Sequence, residues 1–320
     1  MSNMAAAGVD SRAVPLTLPR RLRRPLTWLA RLLPLAGIAG GVAALQHVRA
    51  VALLPVLVGI TAWTVANYVV NVLRWRSISG RDLSLGWYTR VFAEGELLGL
   101  LTPQHAGALW WRARQLSRTG ADRAGVAAEL TADRLCSAVT VVAALLVGGA
   151  ALPGSARSAA FVVVAAAAAV VVLTRHRWLH RLPTLEPRRA ARWVGYSLLF
   201  QAGYVAFVLY AVSAVSLVVP AGSLLGVLAA AQVASVLPGV HGAGPKEGVL
   251  AGGLMTLGAS QGAALAVVGL LVGLVWVPAL LLGGGGLVAR AVGGVRMRRR
   301  VVPVALPALS PLSPLSPLAA

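Results

Sequence analysis

Read only as apolar and polar positions, the chain is a series of long apolar runs separated by short stretches that carry nearly all of its charge. Six runs predict membrane-spanning helices: 26–46, 51–73, 126–150, 158–174, 193–217 and 262–288. The criterion is about 20 apolar residues, since a helix rises about 1.5 Å per residue and the hydrocarbon core is about 30 Å thick. Two further apolar stretches, between Arg90 and Arg112 and over 222–257, are interrupted in the middle by Pro and Gly. The first run has the basic flank of a signal peptide, but it contains Pro34, lacks a small-residue cleavage site and leads straight into another span. It is read as a mature helix.

Composition agrees with the pattern. Of 320 residues, 58% are hydrophobic and 12% charged, with mean hydropathy +0.78. Soluble domains carry about a quarter charged residues. The single cysteine, Cys136, lies inside a predicted span, which excludes a disulfide framework and a Cys/His zinc site.

Charge changes the picture more than composition does. A net charge of +20 in a soluble chain would point to nucleic acid. Here all Lys and Arg except Arg49, Arg134, Arg157 and Lys246 fall in five clusters: up to and including Arg31, Arg74 to Arg90, Arg112 to Arg123, Arg175 to Arg192, and Arg290 to Arg300. Such clusters beside apolar spans are orientation signals and face the cytoplasm. Two consecutive clusters then lie on one side, so the 21 residues between Arg90 and Arg112 must enter the membrane and return. That is too short for two crossings, and Gly99, Pro103 and Gly107 supply a break. The same reasoning makes 222–257, broken at Pro238, Gly242, Gly244 and Pro245, re-entrant from the opposite side.

The order span, span, re-entrant segment, span thus occurs twice with opposite sense. Residues 100–112 (LLTPQHAGALWWR) align with 235–247 (SVLPGVHGAGPKE), each with a charged residue, Arg112 or Glu247, nine positions after its central Pro. TGADRAGVAA at 119–128 likewise resembles LGASQGAALA at 257–266. Inverted repeats with interrupted helices at matching places are a signature of secondary transporters. The fold read from the sequence is all-α integral membrane, with about six transmembrane helices plus two re-entrant broken helices in an inverted-topology repeat. A basic N-terminal segment, 1–25, precedes a membrane domain over 26–290 with halves at about 26–150 and 158–290. Residues 291–320 are basic and then Pro/Ser/Leu-rich, and read as a disordered tail. Both termini are placed in the cytoplasm of a multi-pass cell-membrane protein.

Ionisable side chains at membrane depth are costly, so each marks a partner or a watery cavity. The candidates are Glu94 and Glu96 in the first re-entrant stretch, Glu129, Asp133 and Arg134 in the third span, and Lys246 and Glu247 after the second break. Arg112, Arg134 and Lys246 are expected to hold an anionic or zwitterionic headgroup, with Glu94, Glu129 and Glu247 as counter-charges or proton carriers and Asp133 as a further candidate of the site; interhelical ion pairing is the competing reading. Glu129 and Asp133, one helical turn apart, repel unless a cation such as Arg134 or Lys246 sits beside them. The helix restart after Gly242 to Pro245 offers unpaired N–H groups and a positive dipole end to an anion, and Pro245 suits its first turn. His105 and His241 fall in the two breaks. Asn67 and Asn71 read as interhelical hydrogen-bonding groups. Trp75, Trp87, Trp110, Trp111 and Trp193 read as interfacial aromatics.

These residues resemble the membrane domain of the lysylphosphatidylglycerol synthases, a flippase-like family. The resemblance rests on RWR at 74–76, the segment 100–112 with Pro103, Gly107 and Arg112, DRL at 133–135, and GAGPKE at 242–247 with Gly242, Gly244 and Glu247. Gln104 and Leu109 depart from the family pattern. The resemblance implies movement of a lipid across the bilayer without the soluble transferase domain that performs synthesis. No catalytic triad, phosphate-binding loop, metal site, dinucleotide fingerprint or cofactor motif is present, so an enzyme is not expected. Expected partners are membrane lipids, not nucleic acid. The alternative from another class is a non-transporting scaffold or regulator of a lipid- or envelope-modifying enzyme, recruited through the basic loops.

Overall fold

The computed structural model describes residues 52–102, 105–148, 187–235, 239, 241–242 and 244–293. The predicted spans 26–46 and 158–174, the N-terminal segment, most of the tail and the break residues Pro103 and Pro238 lie outside the described residues.

Among the described residues every regular element is helical. Helix α1 runs Leu53–Thr64, through a π-helical turn Val65–Val70, to Asn71–Ser79. It is followed by α2 (Leu85–Leu100), α3 (Ala106–Arg118), α4 (Arg123–Gly148), α5 (Pro187–Ala214), α6 (Ala221–Ala234) and α7 (Pro245–Thr256). Last comes α8, composed of Gln261–Pro278, a π turn Ala279–Gly284 and Gly285–Gly293. Helices α1, α5 and α8 are long and apolar enough to cross a membrane. Helix α4 has the length, but its first half carries Glu129, Asp133 and Arg134.

The boundaries follow local chemistry. Gly80, at φ 60°, closes α1 as a left-handed cap whose N–H donates to the Arg76 carbonyl (3.1 Å). Ser84 and Ser260 cap α2 and α8 by accepting the N–H groups of Trp87 and Ala263. Asp122 Oδ2 accepts the N–H of Gly125 (3.0 Å) at the start of α4. A bilayer offers no water to free backbone groups, so closure by side chains matters most at the ends buried in protein.

The order long helix, two half-length helices, long helix occurs twice: α1, α2, α3, α4, then α5, α6, α7, α8. The half-length helices form antiparallel hairpins. Gly95 faces Ala108 and Arg112 across α2 and α3, and Gly253 faces Val227 across α7 and α6. The halves interlock, with α1 on α5, α2 on the π turn of α8, and α6 on α4. Glycine makes each of these contacts close. A Cβ on Gly203 would meet Ala66, one on Gly283 the Ala93 backbone, and one on Gly148 the Leu225 backbone. Where lipid is as apolar as leucine, such close approach supplies the packing that water expulsion supplies elsewhere. Apolar packing is thickest around Phe207, Val208, Leu228, Leu254 and Val267, while an aromatic cluster of Trp75, Tyr88 and Phe92 seats the first hairpin against α1.

Candidate functional site

Both hairpins point their breaks at one place. A cavity of about 720 Å³ is lined by Thr102 and His105 of the first break, and by Ser235, Gly239, His241 and Gly244 of the second. The remaining polar wall comes from Asn67, Asn71 and Arg74 on α1, Glu96 on α2, Arg112 on α3, Asp133, Arg134 and Ser137 on α4, Gln232 on α6, and Lys246 and Glu247 on α7. Trp63, Phe92, Tyr204, Phe207 and Val272 complete it with apolar surface.

The first break is turned by a strained residue and a hydroxyl. His105 sits at φ 57°, a left-handed conformation that side chains other than Gly adopt uncommonly. Thr102 Oγ1 donates to the Leu98 carbonyl (2.9 Å) and accepts the Gly107 N–H (2.7 Å), so the reversal leaves that amide satisfied. Gly107 is required by space, because a Cβ there would collide with the Leu98 carbonyl. Two turns further on, Arg112 is 6% exposed and bonded to two carboxylates: Glu96 Oε1 at 2.7 Å and Asp133 Oδ2 at 3.3 Å. Its guanidinium also lies 4.1 Å from the Phe92 ring centroid.

Asp133 takes a second arginine. Arg74 Nη2 lies 3.0 Å and Nε 3.2 Å from its Oδ1, and Nη2 also donates to Ser137 (3.1 Å). Asn67 Nδ2 donates to Glu96 Oε2 (3.4 Å) and Asn71 Nδ2 to Asn67 Oδ1 (3.0 Å), which ties the π turn of α1 into the network. π turns widen a helix locally and recur at functional sites.

The second break works differently. Gly242, at φ 96°, turns the chain, Gly244 is the N-cap of α7 and Pro245 its first residue. Glu247 folds back to accept the N–H groups of Gly242 (3.2 Å) and Gly244 (3.0 Å). Its carboxylate thus occupies the positive end of the helix. His241 Nδ1 lies 3.8 Å from Glu247 Oε1. Lys246 places its Nζ 4.5 Å from the Tyr204 ring centroid.

Six of the eight candidates read from the sequence therefore line the cavity: Glu96, Arg112, Asp133, Arg134, Lys246 and Glu247. Glu94 and Glu129 do not. Glu94 is fully buried beneath the opposite face of α2, accepting from Arg290 Nε of α8 (2.6 Å) and Trp111 Nε1 (3.0 Å). Glu129 accepts from Trp75 Nε1 (2.8 Å) and Arg81 Nε (3.2 Å). The cations relieving the Glu129 and Asp133 pair are thus Arg81, Arg74 and Arg112, not Arg134 or Lys246. The break donors expected to await an anion at Gly242 and Gly244 are taken by Glu247. Trp75, Trp111 and Trp193 are buried. Arg74, grouped above with a basic loop, is 4% exposed in the ion-pair network, because α1 continues past its apolar run to Ser79. Its signal was position: three residues after Asn71 on one helical face. Among the described residues no three His, Cys, Asp or Glu side chains are grouped to hold a metal ion.

Comparison with known proteins adds one match. The model of the family described as lysylphosphatidylglycerol synthase TM region matches residues 26–283, most of the chain. Comparison with curated proteins and with solved structures returns no match.

Proposed function

The chain belongs to the lysylphosphatidylglycerol synthase transmembrane family, and from that premise we propose that this membrane protein moves a lipid or lipid-linked headgroup across the cytoplasmic membrane. In this reading the two halves are inverted copies, six helices span the bilayer, both termini are cytoplasmic, and the cavity holds an anionic or zwitterionic headgroup while the acyl chains stay in lipid. The observation that carries the reading is the meeting of both hairpin tips at one charged cavity. Interrupted helices bring backbone polar groups and helix ends to membrane depth only where they are buried in protein or line such a cavity, and here both tips line one. The protein acts as a transporter and not an enzyme, and it needs no cofactor.

A scaffold that only recruits a partner enzyme would need no such space among its buried charges. The cavity reaches Glu247 and Lys246, which favours transport. The test is leaflet exchange of fluorescent phosphatidylglycerol in proteoliposomes, read by quenching of the outer leaflet. Exchange above the protein-free rate, lost on Arg112→Ala with Glu247→Ala, is the expected result. Equal rates for wild type and the double variant would sink the site.

A further inference from the structure

On the headgroup reading just given, the charges of the cavity say more about what it holds. Every carboxylate in the wall is already engaged. Glu96 is held by Arg112 and Asn67, Asp133 by Arg74 and Arg112, and Glu247 by two backbone N–H groups. The described lining contains four permanent cations, Arg74, Arg112, Arg134 and Lys246, against these three carboxylates, an excess of one positive charge. The excess is localised. Arg74 and Arg112 are locked into the network, whereas Arg134 and Lys246 have no ion pair with any described carboxylate.

The two unmatched cations come from different halves. Arg134 is on α4 and Lys246 is the second residue of α7, just past the second break. Both, together with Arg112 and with His105 of the first break, line the one cavity where the tips face each other. Tyr204 orients the Lys246 ammonium through its ring without neutralising it. Arg112 adds a buried Nε–H that has no acceptor.

We infer that the ligand of this cavity is a phosphodiester with one net negative charge, held by Arg134 and Lys246, with Arg112 Nε as a further donor. The guanidinium of Arg134 offers the planar fork that suits two phosphate oxygens, and the Lys246 ammonium a point charge. One negative charge brings the described lining to neutrality. A phosphomonoester dianion overshoots it, and a headgroup with a net positive charge adds a cation beside two that form no ion pair. At membrane depth such imbalance is what the rest of the wall avoids.

The experiment reads binding, not movement. Full-length protein in phosphatidylcholine vesicles is exposed to a photoactivatable phosphatidylglycerol, and the saturable cross-linked fraction is measured under competition. Unlabelled phosphatidylglycerol is expected to compete, with phosphatidic acid at high pH and lysylphosphatidylglycerol each weaker by about tenfold. Arg134→Gln and Lys246→Gln are each expected to lower capture by about tenfold, the loss of one charge-assisted hydrogen bond. Arg134→Lys and Lys246→Arg, which keep the charge and report on correct folding, retain most of it. Arg118→Gln, on the exposed end of α3, leaves capture unchanged. Water-soluble glycerophosphoglycerol distinguishes the sources: competition as strong as the lipid's assigns the site to a free phosphodiester, and competition by lipid alone to a headgroup. Wild-type capture by both Gln variants, or equal competition by lysylphosphatidylglycerol, overturns the inference. Capture that depends on Arg134 and Lys246 with no leaflet exchange leaves it standing and sinks the transport reading. Exchange of all headgroups alike with charge-independent capture does the reverse.

Discussion

The two breaks stand at matching places in the chain and meet at one cavity, yet they close their helices by different means. The first uses a neutral hydroxyl, Thr102, to satisfy the amide of Gly107, and its nearby charge, Arg112, stands at the seventh residue of α3 and reaches into a network of carboxylates. The second uses a charge, Glu247, at the third residue of α7 to satisfy the amides of Gly242 and Gly244. Arg112 and Glu247 follow their prolines by the same nine positions, but one is a cross-helix clamp and the other a cap. With its oxygens on the backbone amides, Glu247 makes no ion pair with Lys246, and on the inference above that ammonium is left for an anion.

The largest effect that separates the tips is expected from Arg112→Met. It leaves Glu96 and one oxygen of Asp133 buried without a cation, a loss of about 3–5 kcal/mol. Thermal unfolding in detergent checks this, and adding Glu96→Gln to the same protein is expected to recover part of the loss. A melting temperature unchanged by Arg112→Met would show that the clamp carries no stability.

A glycine pair probes the turns next. Gly107→Ala drives a methyl into the Leu98 carbonyl and is expected to cost about 1–3 kcal/mol. Gly248→Ala, four residues into α7 and open on every side, is expected instead to stabilise by about 0.5–1 kcal/mol through helix propensity. Equal effects of the two would mean that the first tip is not built by close approach.

The smallest difference is between the capping groups. Glu247→Gln keeps an acceptor but loses the charge at the α7 N-terminus, worth about 1–2 kcal/mol. Thr102→Val removes one neutral bond, worth about 1 kcal/mol. Denaturant midpoints of the two proteins order them, and a larger loss at Thr102 would reverse the comparison.

Much of this was legible in the residues. The long helices follow apolar length, and the breaks follow Pro and Gly inside apolar runs. Pro245 at the first turn of α7 was legible too, whereas Glu247, read as a counter-charge of the cavity, turned out to cap that turn. Partners distant in sequence were not legible. Glu94 and Arg290 are 196 positions apart, and nothing local to Glu94 says that it turns toward α8 and away from the cavity. Arg74 misled because loop counting treats a basic residue just past an apolar run as solvated. Asp133, 59 positions away, is its buried partner. Charge counting cannot distinguish an arginine in water from one paired inside protein.

The central claim is that the space between the tips is the path of the headgroup. It is tested most directly by replacing His105 and His241, one from each break, with cysteine in a Cys136→Ala background, and joining them with a short reducible cross-linker in proteoliposomes. Leaflet exchange of labelled phosphatidylglycerol is predicted to stop on cross-linking and to return on reduction. Exchange that continues at full rate through the cross-linked protein, or that never exceeds the protein-free rate, would contradict the account.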